Sequence, residues 1–172
     1  FFQQSVSDFS LIIAGAPGWK NNKIYQRANQ SPCRDKIKFI GFVKPEEKPA
    51  LYSLASLFVY PSFYEGFGFP ILEAMSLGTP VITSNRSSLP EITGSSAYLV
   101  NPHKPHEIAE GMTCLLNSNL RQQKKRPLEV EKFNWDKAAK KFLQLLTDNV
   151  IPILLWRKIE DPRFRRSEIG TV

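Results

Sequence analysis

The chain has 172 residues, 42% hydrophobic and 23% charged, enough for one domain with a sizeable buried core. No apolar run reaches the about 18 residues that a membrane-spanning helix needs, and residues 1–8 have neither the basic start nor the long apolar centre of a signal peptide. The net charge of +7 is unevenly placed: residues 1–120 carry 10 Lys and Arg against 9 Asp and Glu, whereas residues 121–172 carry 13 against 7.

Residues 1–9 read as the tail of a helix and a turn. Leu11-Ile12-Ile13-Ala14 is a continuous apolar run closed by Gly15, as in parallel strands buried on both faces, and predicts a strand over 10–14. After the loop 16–21, Ile24, Tyr25 and Ala28 share one side of a short amphipathic helix. A second strand is predicted over 37–41, with Phe42 and Val43 just past its end. A turn over 44–48 leads to Pro49, which opens a helix through Ser56 on the stripe Ala50, Leu51, Leu54 and Ala55.

The stretch 57–83 organises the rest. Leu57 to Tyr60 is a buried strand ending at Pro61, and the polar, glycine-bearing loop 62–68 follows. Pro70 suits the first turn of a helix, Gly78 stops it, and Pro80-Val81-Ile82-Thr83 begins the next strand. This is a βαβ unit whose loop lies at the strand's C-terminal end, where open α/β sheets bind ligands. Glu65 in the loop and Glu73 in the helix stand eight positions apart. Glu73 is one turn inside the helix, so its side chain leans back toward the helix start and both acids can border one pocket. Gly66 and Gly68 between them permit close backbone approach, and the orphan amides of the helix start suit an anion. A phosphorylated sugar or nucleotide diphosphate fits that description.

Beyond this unit, 84–88 is a polar loop, 89–93 one helical turn, and 97–100 a last short strand. Helices are predicted over 105–117, 119–131 and 135–149. The last is capped by Asn134 and places Trp135, Ala138, Ala139, Phe142, Leu145 and Leu146 on one face. Residues 151–172 are a basic tail, and the lysines and arginines of 121–172 suit a solvated face more simply than anionic lipid or nucleic acid. Five strands alternating with helices predict a parallel, doubly wound α/β sheet.

The segment Pro61-Ser62-x-x-Glu65-Gly66-Phe67-Gly68-x-Pro70-x-x-Glu73-Ala74-Met75-x-x-Gly78-Thr79-Pro80-Val81 resembles the E-x7-E region of the group 1 (family 4) retaining glycosyltransferases. The resemblance implies the Rossmann-like, donor-binding half of a GT-B fold over residues 1–150, without its first strand and helix, followed by the tail 151–172. In the Rossmann strand order that strand is central. The chain is therefore expected to be a fragment, unless strands 11–14 and 57–60 pair directly or another chain fills the gap. By the same resemblance, Glu73 accepts hydrogen bonds from the ribose hydroxyls and Glu65 contacts the transferred sugar. Backbone amides of Gly66, Phe67 and Gly68 meet the sugar and diphosphate, Phe42 and Val43 read the base, and Leu72 packs near the ribose. The implied donor is a nucleotide sugar, either GDP-mannose or a UDP-sugar, with no permanently bound cofactor and no metal. The loop 84–90 and Ser88-Leu89-Pro90-Glu91 are similar to the mannosyltransferase branch. The implied partners are a glycan or lipid-linked acceptor and the N-terminal domain of the same parent chain, with no nucleic acid. The implied location is cytoplasmic, with peripheral contact at the inner membrane face. A fragment of this kind is expected to be inactive alone.

Each assignment has a plainer alternative. Glu65 could cap loop amides, Glu73 could be a half-buried surface acid, and Phe67 could pack its ring while its backbone serves the site. Lys20 and the trio Ser84, Asn85 and Arg86 lie at strand ends, where solvated side chains and a local turn are the simpler readings. His103 and His106 flank Lys104-Pro105, where exposure is the default for histidine. Cys33 and Cys114 have neither disulfide nor metal spacing and read as reduced thiols. Asn29-Gln30-Ser31 and Asn85-Arg86-Ser87 match the glycosylation pattern, which carries no weight without a secretory signal. Competing functions are a GT-B sugar-nucleotide epimerase, a non-catalytic nucleotide-sugar-binding module, and a flavodoxin-like or receiver-type module. The last would require an acidic cluster or phosphate loop at the first strand.

Overall fold

The computed structural model describes residues 9–18, 21–118 and 127–150. The chain divides into two compact units between Val130 and Glu131. The readings of residues 1–8, Lys20 and 151–172 lie outside the described residues.

The centre of the first unit is a three-stranded parallel sheet, β3 (Phe58–Tyr60), β4 (Val81–Ser84) and β5 (Tyr98–Val100), in that spatial order. Middle position makes β4 the most enclosed element, and all four of its residues are buried. Its faces are covered from opposite sides. Val81 joins Ile71, Ala74, Met75 and Leu89 in the main core cluster, contributed by α3 (Phe69–Ser76) and α4 (Leu89–Thr93). The next residue, Ile82, turns to the other face and meets α5 (Pro105–Asn117) at Gly111, where a Cβ would stand 3.3 Å from Ile82 Cδ1. Helices on both faces make this the doubly wound arrangement expected. Burying Ile71 and Met75 contributes about 1.5–3 kcal/mol each.

Proline sets the helix starts. Pro49, Pro70, Pro90 and Pro105 all fall in the first two positions of α2 (Lys48–Leu54), α3, α4 and α5. There the missing N–H has no helical partner to lose.

A second parallel pair, β1 (Leu11–Ala14) with β2 (Ile37–Gly41), forms its own two-stranded sheet. Among the described residues β1 has β2 as its one ladder partner and β3 has β4, so the direct pairing of 11–14 with 57–60 does not occur. One face of the pair is covered by α1 (Asn22–Asn29), with Tyr25 and Phe39 ring centroids 4.5 Å apart. On the other, Ile12 and Ile40 remain 44% and 43% exposed. The expected two-sided burial of Leu11 to Ala14 is therefore only one-sided, because no described helix covers that second face.

The expected helix over 119–131 is not seen in its described part. Residues Leu128–Lys132 form a 3-10 turn after Pro127, and residues 119–126 lie outside the described residues. In the second unit, α6 (Trp135–Leu145) begins as expected. Asn134 Oδ1 accepts from the amides of Asp136 and Lys137 at 2.9 and 3.2 Å. The helix widens into a π turn at Leu146–Val150.

Candidate functional site

The loop between β3 and α3 is held by its neighbours rather than by itself. Ser87 Oγ accepts from the Glu65 amide at 3.0 Å and donates to the Glu65 carbonyl at 2.9 Å. Ser88 Oγ shares its hydrogen between the carbonyls of Glu65 and Phe67, at 3.1 and 2.9 Å. Both serines come from the turn after β4, where Ser87 takes a left-handed backbone, φ +52°. That turn, read from the sequence as a polar loop, is the clamp that fixes Glu65.

The Glu65 side chain is fixed separately. Tyr60, the last residue of β3, donates its hydroxyl to Glu65 Oε1 at 2.7 Å. Tyr52, near the end of α2, donates to Glu73 Oε2 at 2.9 Å, and Lys48 Nζ stands 3.7 Å from the same oxygen. The Glu73 side chain is 40% exposed, so it is anchored at one oxygen and open to ligand beside it.

The two acids lie on one face of the sheet. Phe58 and Tyr60 are two residues apart on β3, so they point the same way, and their rings stack at 5.9 Å. Tyr52 meets the edge of Phe58 at 5.1 Å. The row Tyr52, Phe58, Tyr60 thus joins Glu73 at one end to Glu65 at the other, and all three rings pack on the core cluster of α3 and β4. Burial raises both phenols first of all, and the hydrogen bonds to the glutamates add to it. Tyr60 is pushed up to about 12, and Tyr52 rises further, with Tyr60 close enough to contribute. Both phenols therefore stay protonated, and remain donors to the acids, throughout the neutral range.

The remaining predicted positions lie in the loop before α3, in α3 itself and just past the end of β2. Gly66 is exposed, with open space where a side chain would stand, which suits close ligand approach. Gly68 is buried and plays a different part: its φ is +107°, and a Cβ there would lie 2.7 Å from Leu89 Cδ2. Its glycine is demanded by the core as well as by the turn. It precedes α3, whose start carries no side-chain cap, and the positive end of the helix dipole falls there. Phe67 is half-buried with its ring 4.7 Å from that of Phe69. Leu72 packs against the core cluster. Phe42, 70% exposed, and Val43, half-buried, follow Gly41 at the C-terminal end of β2. The chain then turns into α2, which brings Lys48 and Tyr52 to Glu73.

Ser84 is buried in β4, the Asn85 amide donates to the carbonyl of Val100 at the end of β5 at 2.9 Å, and Arg86 is exposed. His106 is exposed, and His103 lies against Phe63 with ring centroids 4.7 Å apart. A cavity of about 720 Å³ opens where β1, β2 and α1 meet, lined by Leu11, Ile13, Ile24, Ala28 and Ile37. Lys23, Arg27, Gln30 and Ser31 also line it, and it holds none of the predicted site residues. The site around the acids is instead an open surface at the C-terminal end of β3.

Five contributors escaped the sequence reading: Lys48, Tyr52, Tyr60, Ser87 and Ser88. The tyrosines did leave a trace, since they stand eight residues apart, as the acids do. The pairing is nested, inner tyrosine to inner acid and outer to outer.

Paired acids beside a helix start, at the C-terminal end of a parallel strand, form a candidate site where open α/β sheets bind ligands. Comparison with known proteins makes this specific. The family "Glycosyl transferases group 1" matches residues 2–129, and the chain belongs to it. The chain is 45% identical over 95 residues to the O-antigen chain mannosyltransferase B of Escherichia coli, covering 55% of this chain and 25% of that protein. It is 39% identical over 109 residues to the serotype-specific mannosyltransferase WbdA of Escherichia coli, covering 62% of this chain and 13% of that one. It therefore spans a quarter or less of these relatives. Among solved structures, the C-terminal domain of the group 1 glycosyl transferase LpcC from Francisella tularensis superposes with a TM-score of 0.62 at 28% identity. The match covers 72% of this chain and 68% of that domain. Anabaena HepE, in complex with UDP and glucose, superposes at 0.69 with 20% identity over 81% of this chain and 40% of HepE, a likeness of fold. The fold is thus the Rossmann-like half of a GT-B glycosyltransferase. Among the described residues no helix is long and apolar enough to cross a membrane.

Proposed function

We propose that the chain is the donor-binding half of a retaining glycosyltransferase that moves mannose from GDP-mannose to a glycan or lipid-linked acceptor. The observation that carries this is the placement of Glu65 and Glu73 on one face of β3, flanking the uncapped start of α3. In this reading Glu73 accepts from the ribose hydroxyls and Glu65 from the hydroxyls of the sugar. The backbone of Gly66, Phe67 and Gly68 faces the sugar and diphosphate. Phe42 and Val43 lie against the base and Leu72 near the ribose. As the glycosidic bond breaks, negative charge grows on the leaving diphosphate. Preorganised amides and the helix dipole stabilise that charge and lower the barrier, and no metal is required.

Mannose is favoured by the two mannosyltransferase relatives. A nucleotide carrier is favoured by the fold shared with HepE, which binds UDP and UDP-glucose. Acceptor and N-domain catalytic groups belong to the remainder of the parent chain, which acts at the cytoplasmic face of the membrane, and this portion alone is inactive. Calorimetry with GDP-mannose, UDP-glucose, GDP and UDP tests the assignment. GDP-mannose is expected to bind, with affinity lowered at least about tenfold in Glu73→Ala. A folded chain that binds none of the four refutes it.

A further inference from the structure

Each acid of the site is gripped at one oxygen only. Tyr52 and Lys48 both reach Oε2 of Glu73, and Tyr60 reaches Oε1 of Glu65. Among the described residues, the second oxygen of each acid takes no hydrogen bond, so it is the one presented to a ligand. The tyrosines that do the gripping are themselves pinned at the other end. Thr79 Oγ1 donates to the Tyr52 carbonyl at 2.7 Å, and Thr83 Oγ1 donates to the Tyr60 carbonyl at 2.9 Å. Both threonines are buried, at 3% and 0% exposure. Between the phenols stands Phe58, in contact with both rings. An ornamental surface hydrogen bond would leave a free rotor at one end, whereas here ring, carbonyl and hydroxyl are all fixed.

From this geometry we infer that Tyr52 and Tyr60 are positioning residues of the donor site. Tyr52 aims Glu73 at the ribose hydroxyls, and Tyr60 aims Glu65 at the sugar. The inference rests on the reading given under Proposed function and assigns each tyrosine to a different part of the same ligand. The phenol donates to a carboxylate, the stronger kind of hydrogen bond. It removes rotamer freedom that ligand binding would otherwise have to remove.

Replacing a phenol by a phenyl ring keeps the packing and deletes only the donor, so Tyr52→Phe and Tyr60→Phe test the two assignments. Four ligands are titrated by calorimetry against each variant and the unaltered chain: GDP-mannose, GDP, 2′,3′-dideoxy-GDP and mannose 1-phosphate. Tyr52→Phe is expected to weaken GDP and GDP-mannose about tenfold and to leave dideoxy-GDP unchanged, because Glu73 then has no hydroxyl to accept. Tyr60→Phe is expected to weaken GDP-mannose and mannose 1-phosphate about tenfold while leaving GDP and dideoxy-GDP unchanged. Loss spread evenly over all four ligands means that the tyrosines only support the fold, and it overturns the inference. So does unaltered binding of all four by both variants. If the unaltered chain is folded and binds GDP-mannose, either result leaves the donor-site reading standing. If it binds none of the four, reading and inference fall together.

Discussion

Gly66 and Gly68 sit two residues apart in the same loop, yet the structure gives them opposite kinds of importance, and alanine at each separates the two. At Gly68 the backbone has φ +107°, a region that costs a residue with a Cβ about 1–3 kcal/mol. The added methyl would also stand 2.7 Å from Leu89 Cδ2, with Ile71 Cδ1 at 3.4 Å and Ile92 Cδ1 at 3.6 Å. Leu89 is fully buried, so its methyl has no solvent to swing into. Overpacking of this kind costs about 1–3 kcal/mol. Gly68→Ala should therefore lose about 2–6 kcal/mol, and Tm should fall by about 6–18 °C for a unit of this size. At Gly66 nothing lies within 4 Å of the same methyl, and the backbone is outside the left-handed region. Gly66→Ala should stay within about 0.5 kcal/mol of the parent, as exposed substitutions do. It should nevertheless weaken GDP-mannose by about tenfold, because in the proposed donor site the methyl takes space assigned to the ligand. Thermal unfolding by circular dichroism and calorimetric titration of the three proteins decide the matter. A Gly68→Ala protein as stable as its parent would refute the close approach to Leu89. A Gly66→Ala protein with unaltered affinity would show that the open space there is not ligand space.

Gly111 offers a second packing test, since a Cβ there would meet the Tyr98 ring at 2.8 Å and Ile82 at 3.3 Å. Gly111→Ala should lower stability by about 1–3 kcal/mol despite the better helix propensity of alanine, a balance that a urea titration reads directly. Alkaline titration tests the phenols. The pKa of Tyr60 is raised from 10.0 to about 12, so the fold prefers its neutral form. Its contribution to stability is complete below about pH 10 and is lost as pH climbs through about 12. Tyr60→Phe should remove one late-ionising phenol from the tyrosinate absorbance curve and flatten the loss of stability over that window.

Much of this architecture could be read from the chain because its strongest signals are local. Strand β4 opens on the apolar pair Val81-Ile82 and is buried throughout since it is central and covered on both sides, and proline at the first turn announces α2, α3, α4 and α5. All five strands fall within a residue of the expected spans for the same reason. What failed depends on neighbours far along the chain. Leu11 to Ala14 has the composition of a strand enclosed on both faces, but its outer face meets no described helix, so Ile12 stays exposed. Residues 128–132 carry helical composition, yet they follow Pro127 and settle into a 3-10 turn. Tyr52 and Tyr60 look like ordinary packing residues, and their rings do pack. Only the fold reveals that each hydroxyl ends on an acid, 21 and 5 residues along the chain respectively. Ser87 and Ser88 were hidden similarly, because their bonds to Glu65 and Phe67 span more than 20 residues.

The two buried threonines explain why such a site can be open to solvent without being loose. A valine at 79 or 83 would fill similar space at no cost in unsatisfied hydroxyls, so a buried hydroxyl there needs a partner. In each case the partner is the carbonyl of a tyrosine whose own hydroxyl holds a glutamate. Order therefore passes outward in two short steps, from a core residue through a tyrosine to a carboxylate at the surface. Ser87 and Ser88 do the same for the loop backbone from the end of β4. Every link that fixes Glu65 springs from β3 or from the turn that follows β4, and the links to Glu73 come from α2. The end of β3 and the turn after β4 thus set the direction of Glu65, and α2 sets that of Glu73. Those anchors give the acids a fixed geometry at an open surface, with one oxygen of each held and, among the described residues, the other without a hydrogen bond.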